Sequence, residues 1–334
     1  MATTAAYFIE KLPKLVDYLK RPPRADPAKT TNDYLVGSGV ALLCAVIWAA
    51  SYASLGMISP AVGTLTTNVY LMGFAAASLY VASVAVGLFK PSDNRAQPGR
   101  RLYGRAVVLV GANLGNFLLS VWALKFISAS EAMALTNLAP LFLAFVLWYR
   151  GNLTPSLGTF VALILVLLGT FILNIDSGFV LRNGSNVPGT LIAVFAGAAF
   201  ALWTFTLDEI KSTFGSLVDR LRTLALVFFL SYVVLVTLGY VGGAPPALTG
   251  RDYVILALNG VRVACVHLLY LFAVEKAGPL LANVIVVLMV PFTFPFDRIW
   301  NGAAITTQLV IGAALIVLAA AGLLSDELRR AQQQ

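Results

Sequence analysis

Residues 123–158 read ALKFISASEAMALTNLAPLFLAFVLWYRGNLTPSLG: a small-residue stretch, an apolar helix with Pro140 at its middle, a short turn containing Thr154, and the start of a glycine-bearing helix. Residues 273–312, AVEKAGPLLANVIVVLMVPFTFPFDRIWNGAAITTQLVIG, repeat that order. Ala273-Val274-Glu275 leads to an apolar helix with Pro291, a turn containing Thr306, and a helix with Gly312. Such internal self-similarity marks a duplicated architecture. The two copies are the fourth and fifth and the ninth and tenth apolar segments of the chain. Five helices separate them, an odd number, so the halves cross a membrane in opposite directions. Inverted repeats with broken helices are a transporter device that places a site near the midplane.

The rest of the chain fits that frame. Of 334 residues, 59% are apolar and only 11% charged, whereas a soluble domain carries about a quarter charged residues. Crossing the hydrocarbon takes roughly 20 apolar residues per helix. Segments of that kind predict helices at 34–57, 62–89, 103–124, 129–149, 154–174, 188–207, 219–240, 252–273, 279–299 and 304–324, separated by punctuation such as Ser59-Pro60, Lys90-Pro91 and Asn301-Gly302. The expected fold is an all-α integral membrane protein of about ten transmembrane helices in two inverted five-helix repeats. Residues 34–174 form the first repeat and 175–324 the second. Residues 1–33 form a cytoplasmic N-terminal segment and 325–334 a cytoplasmic tail.

Orientation follows from the basic residues, which stay preferentially in the cytoplasm. With the N-terminus inside, eighteen Lys and Arg fall on the inner side, and only Lys125, Arg182, Arg251 and Arg298 on the outer. This asymmetry predicts a multi-pass plasma (inner) membrane protein with both termini cytoplasmic. It also accounts for the net charge of +8, so nucleic acid is not expected as a partner. The first 33 residues predict no cleavable signal, because lysines and arginines interrupt them. Phe8, Leu12, Leu15 and Leu19 recur at helical spacing beside lysines, which reads either as an interfacial amphipathic helix or as a mobile tail. Cys44 and Cys265 both lie in apolar runs; they are expected in the core, with no disulfide or metal role.

Several stretches resemble the EamA-type branch of the drug/metabolite transporter superfamily. They are Ala123-Leu124-Lys125-Phe126-Ile127-Ser128-Ala129-Ser130-Glu131-Ala132, Leu138-Ala139-Pro140-Leu141-Phe142, Thr154-Pro155-Ser156-Leu157-Gly158 and Ile47-Trp48-Ala49-Ala50-Ser51-Tyr52. The second copy adds Val290-Pro291-Phe292 and Gln308-Leu309-Val310-Ile311-Gly312-Ala313-Ala314-Leu315. The resemblance implies a central cavity lined mainly by helices one, three, four, six, eight and nine, opened alternately to either side. It places Trp48, Tyr52, Asn113, Asn116, Asn137, Trp203, Arg262 and Asn283 near that cavity. The family usually carries a Gly-Glu pair after the proline helix. This chain has Tyr149-Arg150-Gly151 and Phe296-Asp297-Arg298 instead.

Arg262 is the costliest residue, about ten positions into the eighth helix and so roughly 15 Å below the surface. A charge at that depth faces the bundle interior, a cavity or a partner. Its planar fork suits a carboxylate or phosphate; the structural alternative is a bond to carbonyls freed by Pro140 or Pro291, or to Glu131. His267, the sole histidine, and Glu131 are proton-relay candidates, although a neutral core histidine is the commoner case. Pro140 and Pro291 each remove a backbone donor and mark helix breaks. The span asparagines need partners. Gly111 and Gly115 form a GxxxG pair, beside which Asn113 and Asn116 read as interhelical glue. Trp148 and Trp300 at helix ends read as interface anchors, while Trp48, Tyr52, Trp203 and Tyr270 can stack on a ligand.

Zinc-binding, nucleophile-elbow and phosphate-loop signatures are absent. No catalytic residue, metal or cofactor is therefore expected, and the protein is not read as an enzyme. The expected function is a secondary transporter or exporter of small organic metabolites, amino acids or other organic anions, by alternating access. The alternative is a transport-inactive relative that holds a protein partner in a larger complex. A homodimer is open on the same sequence, because GxxxG packing serves within or between subunits.

Overall fold

A computed structural model describes residues 29–55, 57–58, 62–89, 100–123, 126–127, 129–151, 156–173, 187–211, 216–242, 248–302 and 306–333. The helices are α1 (Thr31–Leu55), α2 (Thr64–Phe89), α3 (Arg100–Ala123), α4 (Ala129–Thr136), α5 (Ala139–Tyr149), α6 (Leu157–Leu173), α7 (Val187–Ile210), α8 (Leu217–Gly242), α9 (Gly250–Ala277), α10 (Pro279–Val286), α11 (Met289–Asn301) and α12 (Thr307–Gln333). Among the described residues there is no strand. Eight stretches are long and apolar enough to cross a membrane, and two shorter apolar helices, Ala139–Tyr149 and Leu157–Leu173, complete ten. The N-terminal segment with Phe8, Leu12, Leu15 and Leu19 lies outside the described residues.

Local chemistry starts the helices where the punctuation predicted. Thr30 and Asp33 cap α1 reciprocally, Asp33 N donating to Thr30 Oγ1 at 3.2 Å and Thr30 N to Asp33 Oδ2 at 3.1 Å. Thr249 and Asp252 do the same for α9. Ser156 and Ser216 each accept from the backbone three residues on, at 2.9 and 3.2 Å. These caps satisfy amides that hydrocarbon would leave unpaired. The fourth and ninth spans are each broken in two. Residues 137–138 separate α4 from α5, and 287–288 separate α10 from α11. Pro140 and Pro291 fall in the first turn of the second segment, where a helix needs no N–H. The breaks thus lie just before the prolines. Gly151 and Gly302, each eleven residues after its proline, end those segments at φ 71° and 70°.

The helices pair as an inverted repeat requires. Alpha-helix α1 packs on α9, and its repeat mate α7 packs on α3. The second and seventh spans, α2 and α8, pack on each other, as do the fifth and tenth, α6 and α12. The broken spans follow the same rule, α10 and α11 lying on α1, and α4 and α5 on α7. Both ends of the described chain lie at one end of the bundle, called here the termini end; the opposite one is the far end.

Three expectations needed correction. Helix α12 continues to Gln333 rather than ending near 324, because Arg330 pairs with Asp326 one turn away at 3.0 Å and carries the helix beyond its apolar stretch. Cys265 is exposed, not in the core; it sits on the outward face of α9. Of the GxxxG pair only Gly115 packs on another helix: a Cβ there would lie 3.2 Å from Ala199 Cβ, whereas Gly111 faces open space.

Helices α6 and α12 approach closely, glycine against glycine. A Cβ on Gly169 would sit 2.8 Å from the Gly312 carbonyl oxygen, and one on Gly312 would sit 2.8 Å from that of Gly169. Backbone cannot yield as a flexible side chain can. Gly312→Val is expected to destabilise the protein by about 2 kcal/mol or more, measured by unfolding in detergent. Gly39→Ala, on an open face of α1, is expected to be neutral or stabilising by up to about 1 kcal/mol.

Candidate functional site

His267 lies at the centre of the bundle, surrounded by rings from four other helices. Trp48 of α1, Phe117 of α3, Trp203 of α7 and Phe228 of α8 have ring centroids 5.6, 5.9, 5.4 and 4.9 Å from the imidazole. Nδ1 of His267 lies 2.8 Å from the Val263 carbonyl oxygen, one turn back on α9. A carbonyl only accepts, so Nδ1 carries the hydrogen and Nε2 of the neutral ring is an acceptor. The helix thereby fixes the tautomer.

Tyr270, three residues further along α9, extends the aromatic layer to Trp48 and Phe200 at 5.6 and 5.5 Å. Its hydroxyl lies 2.9 Å from Thr204 Oγ1. Thr204 donates its single hydrogen to the Phe200 carbonyl at 3.0 Å, so it accepts from both Tyr270 and Asn283 Nδ2, the latter at 3.1 Å. This chain joins α7, α9 and α10. Beside it, Trp203 is only 1% exposed, yet its indole Nε1 has no hydrogen-bond partner. A buried donor without an acceptor is uncommon and costly, and this one belongs to a ring that touches His267.

The structure therefore brings Trp48, Trp203, His267 and Asn283 together and adds Phe117, Phe200, Thr204, Phe228 and Tyr270. The other candidates are placed elsewhere. Tyr52 is half-buried against the core. Asn113 Nδ2 reaches Ser231 Oγ at 3.0 Å and Met72 Sδ at 3.5 Å; Asn116 Nδ2 donates to the Ala196 carbonyl of α7 at 3.2 Å. Asn137 Nδ2 donates to the Met133 carbonyl at 2.7 Å, within the break beside Pro140. Glu131 belongs to α4, but its side chain lies outside the described residues. Nothing distinguished Phe117 or Phe228 among twenty phenylalanines, and Thr204 had only its adjacency to Trp203 as a signal.

Arg262 does not point at this aromatic centre but toward the far end. Cys44 Sγ sits 3.7 Å from the Val266 carbonyl, which sets the level of mid-α1 against α9. Side chains of a helix tilt toward its N-terminus, and α9 starts at the far end, so the guanidinium rises from its Cα to the end of α1. Nη1 donates to Ser54 Oγ at 3.0 Å. Ser54 in turn is 3.0 Å from Asn259 Oδ1, whose Nδ2 donates to the Ile255 carbonyl at 2.9 Å. Among the described residues Arg262 has no carboxylate partner.

The termini end is organised by ion pairs. Arg150, at the end of α5, bonds Glu209 near the end of α7 through Nη2, while Arg105 of α3 donates from Nη1 to the Glu209 carbonyl at 3.1 Å and holds Nε 3.9 Å from its carboxylate. The Arg150 guanidinium also lies over the Phe205 ring, 4.9 Å from its centroid. Arg220 pairs with Glu275 at 2.6 Å and Lys276 with Asp33 at 2.8 Å. Asp326 of α12 accepts from Ser156 of α6 at 2.5 Å. Sequence reading passed over Glu209 because an acid at a helix end looks like solvated surface.

Two arginines converge on one half-buried carboxylate, so the three side chains are unequal. Removing Arg150 leaves Glu209 with Arg105, whereas removing the Glu209 carboxylate takes the shared acceptor from both arginines. Glu209→Ala is expected to cost about 3 kcal/mol, more than Arg150→Ala, in the same unfolding measurement. Equal costs would contradict the shared pairing.

Residues 35–175 match the EamA-like transporter family, which bears out the drug/metabolite transporter resemblance in the first half of the chain. A solved crystal structure shares the fold with a TM-score of 0.65 at 19% identity, over 88% of this chain and 97% of that one. No curated protein matches the sequence. The apolar helices are those of an integral multi-pass membrane protein, and the family match over residues 35–175 is to transporters.

Proposed function

We propose that this protein is a membrane transporter of the drug/metabolite type and that it moves small organic acids, amino acids included, by alternating access between its inverted halves. The observation that carries the reading is Arg262: a guanidinium within a span whose partner, among the described residues, is a neutral hydroxyl. A charge in hydrocarbon costs a few kcal/mol unless it is paired, and a carboxylate matches its fork with two parallel hydrogen bonds. The aromatic layer of Trp48, Trp203 and Tyr270 supplies apolar walls deeper in the bundle, and Asn283 and the Trp203 N–H supply polar contacts. Breaks at 137–138 and 287–288, related by the repeat, give the discontinuous helices that such sites use.

Transport is secondary in this reading: the chain carries no nucleotide-binding motif, and His267 is the group placed to take up a proton. The basic termini end faces the cytoplasm of a plasma membrane, as the distribution of Lys and Arg requires. Nothing in the structure favours the alternative of a transport-inactive subunit.

Flux in proteoliposomes tests this. With a panel of amino and organic acids, at least one acid is expected to cross in a protein-dependent way. Arg262→Ala is expected to lower that flux at least about tenfold at subsaturating substrate while folding remains intact. His267→Gln is expected to flatten its pH dependence. No flux for any acid in the panel overturns the transporter reading of this site, and wild-type flux in Arg262→Ala removes the arginine from it.

A further inference from the structure

Matching contacts set the register between the halves. Asn116 of α3 donates to the Ala196 carbonyl of α7, and Cys44 of α1 reaches the Val266 carbonyl of α9. Asn116 and Val266 stand 150 positions apart, and Cys44 and Ala196 stand 152 apart. The same steps carry Phe117 to His267 and Trp48 to Phe200. Each of these residues touches its own counterpart, at centroid distances of 5.9 and 5.5 Å. The axis that relates the halves therefore runs through the aromatic centre.

About one turn from that axis, the register matches Tyr270 of α9 and Thr204 of α7 with Ser120 of α3 and Tyr52 of α1. Toward the termini end the contact is made: Tyr270 and Asn283 both bond Thr204, at 2.9 and 3.1 Å, and all three side chains are buried. Toward the far end it is not. Tyr52 faces Ser120, but Ser120 Oγ, although buried, has no hydrogen-bond partner among the described residues, a costly state for a hydroxyl. The counterpart of Asn283, eight residues before the proline of its half, is Ala132, which offers no hydrogen bond. The helices follow the side chains: α9 packs on α7, whereas among the described residues α1 and α3 make no comparable packing. Residues 114–119 of α3 are all partly exposed, on every side of the helix, while Ala264, Val266 and His267 in the matching stretch of α9 are buried. Lipid reaches one side of a helix; access on all sides means a gap within the bundle.

We propose that Tyr52 with Ser120 and Tyr270 with Thr204 are the two gates of the aromatic centre, and that the structure holds the far gate open and the termini gate shut. This rests on the alternating-access reading and deepens it: cargo reaches the centre from the far end, between α1 and α3, and the far gate closes when the termini gate parts. The bond lost at one gate is replaced at the other, because the register makes the two contacts equivalent. Asn283, without a counterpart at the far gate, biases the protein toward the state seen here. The pairing of Glu209 with Arg105 and Arg150 lies beyond the shut gate, on the same side.

Labelling of single cysteines tests this without cargo. The full chain, carrying Cys44→Ala and Cys265→Ala, is held in lipid nanodiscs so that both faces meet water. A permanently charged methanethiosulfonate then probes Ser120→Cys at the far gate, or Leu207→Cys, a buried position one turn beyond Thr204 toward the termini end. Ser120→Cys is expected to react at least about tenfold faster than Leu207→Cys. Thr204→Val, which removes the acceptor of both bonds, is expected to raise the Leu207→Cys rate about fivefold without raising the Ser120→Cys rate. Tyr270→Phe is expected to act in the same direction, and it decides if Thr204→Val fails to fold. Tyr52→Phe, at the other gate, is expected not to raise the Leu207→Cys rate. The proposal is overturned if Leu207→Cys reacts as fast as Ser120→Cys, or if the termini-gate variant leaves the Leu207→Cys rate unchanged. It is equally overturned if that variant raises both rates alike, as mere loosening would, or if Tyr52→Phe raises the Leu207→Cys rate as much. The expected labelling with no flux of any acid upholds the gates and overturns transport. Flux of acids with equal labelling at both positions does the reverse.

Discussion

The hydrocarbon supplies no hydrogen bonds, so the backbone polar groups in the spans must be satisfied by protein, and this constraint shapes the molecule. It explains why the irregular backbone lies deep in the bundle. At the first break Asn137 and Thr136 bond the carbonyls of Met133 and Ala132, each four residues back. Helix α7 presses on the same turn, where a Cβ on Gly197 would lie 2.7 Å from the Thr136 carbonyl oxygen. Only glycine lets the helix come that near. At the second break every residue of α10 after Pro279 is buried. A broken span survives because its neighbours enclose it.

The same constraint decides what was legible in the sequence. Twenty apolar residues per crossing is a demand of lipid thickness, so the ten spans could be counted before any packing was known. The order of pairing followed from the repeat of Pro140 and Pro291. Faces were less legible. Cys265 and Gly111 sit in apolar runs, but lipid accepts an apolar residue as readily as the core does, so hydropathy does not tell inward from outward. Helix α12 overran its expected end for a related reason: hydropathy reports where hydrocarbon stops, whereas a helix continues while its charges pair, as Asp326 and Arg330 do.

The site was legible in its costs and not in its partners. Arg262 stood out because a cation in a span is expensive, and Trp48, Trp203, His267 and Asn283 because large or polar groups there are few. That Arg262 leans to the far end follows from the tilt of side chains on α9 combined with its direction, which only the crossing with α1 reveals. Its partner Ser54 lies 208 residues away and is one hydroxyl among many. Glu209 was hidden for the opposite reason, being one of the few acids, but at a helix end where water is the usual partner. Its two arginines, from α3 and α5, meet it only after folding.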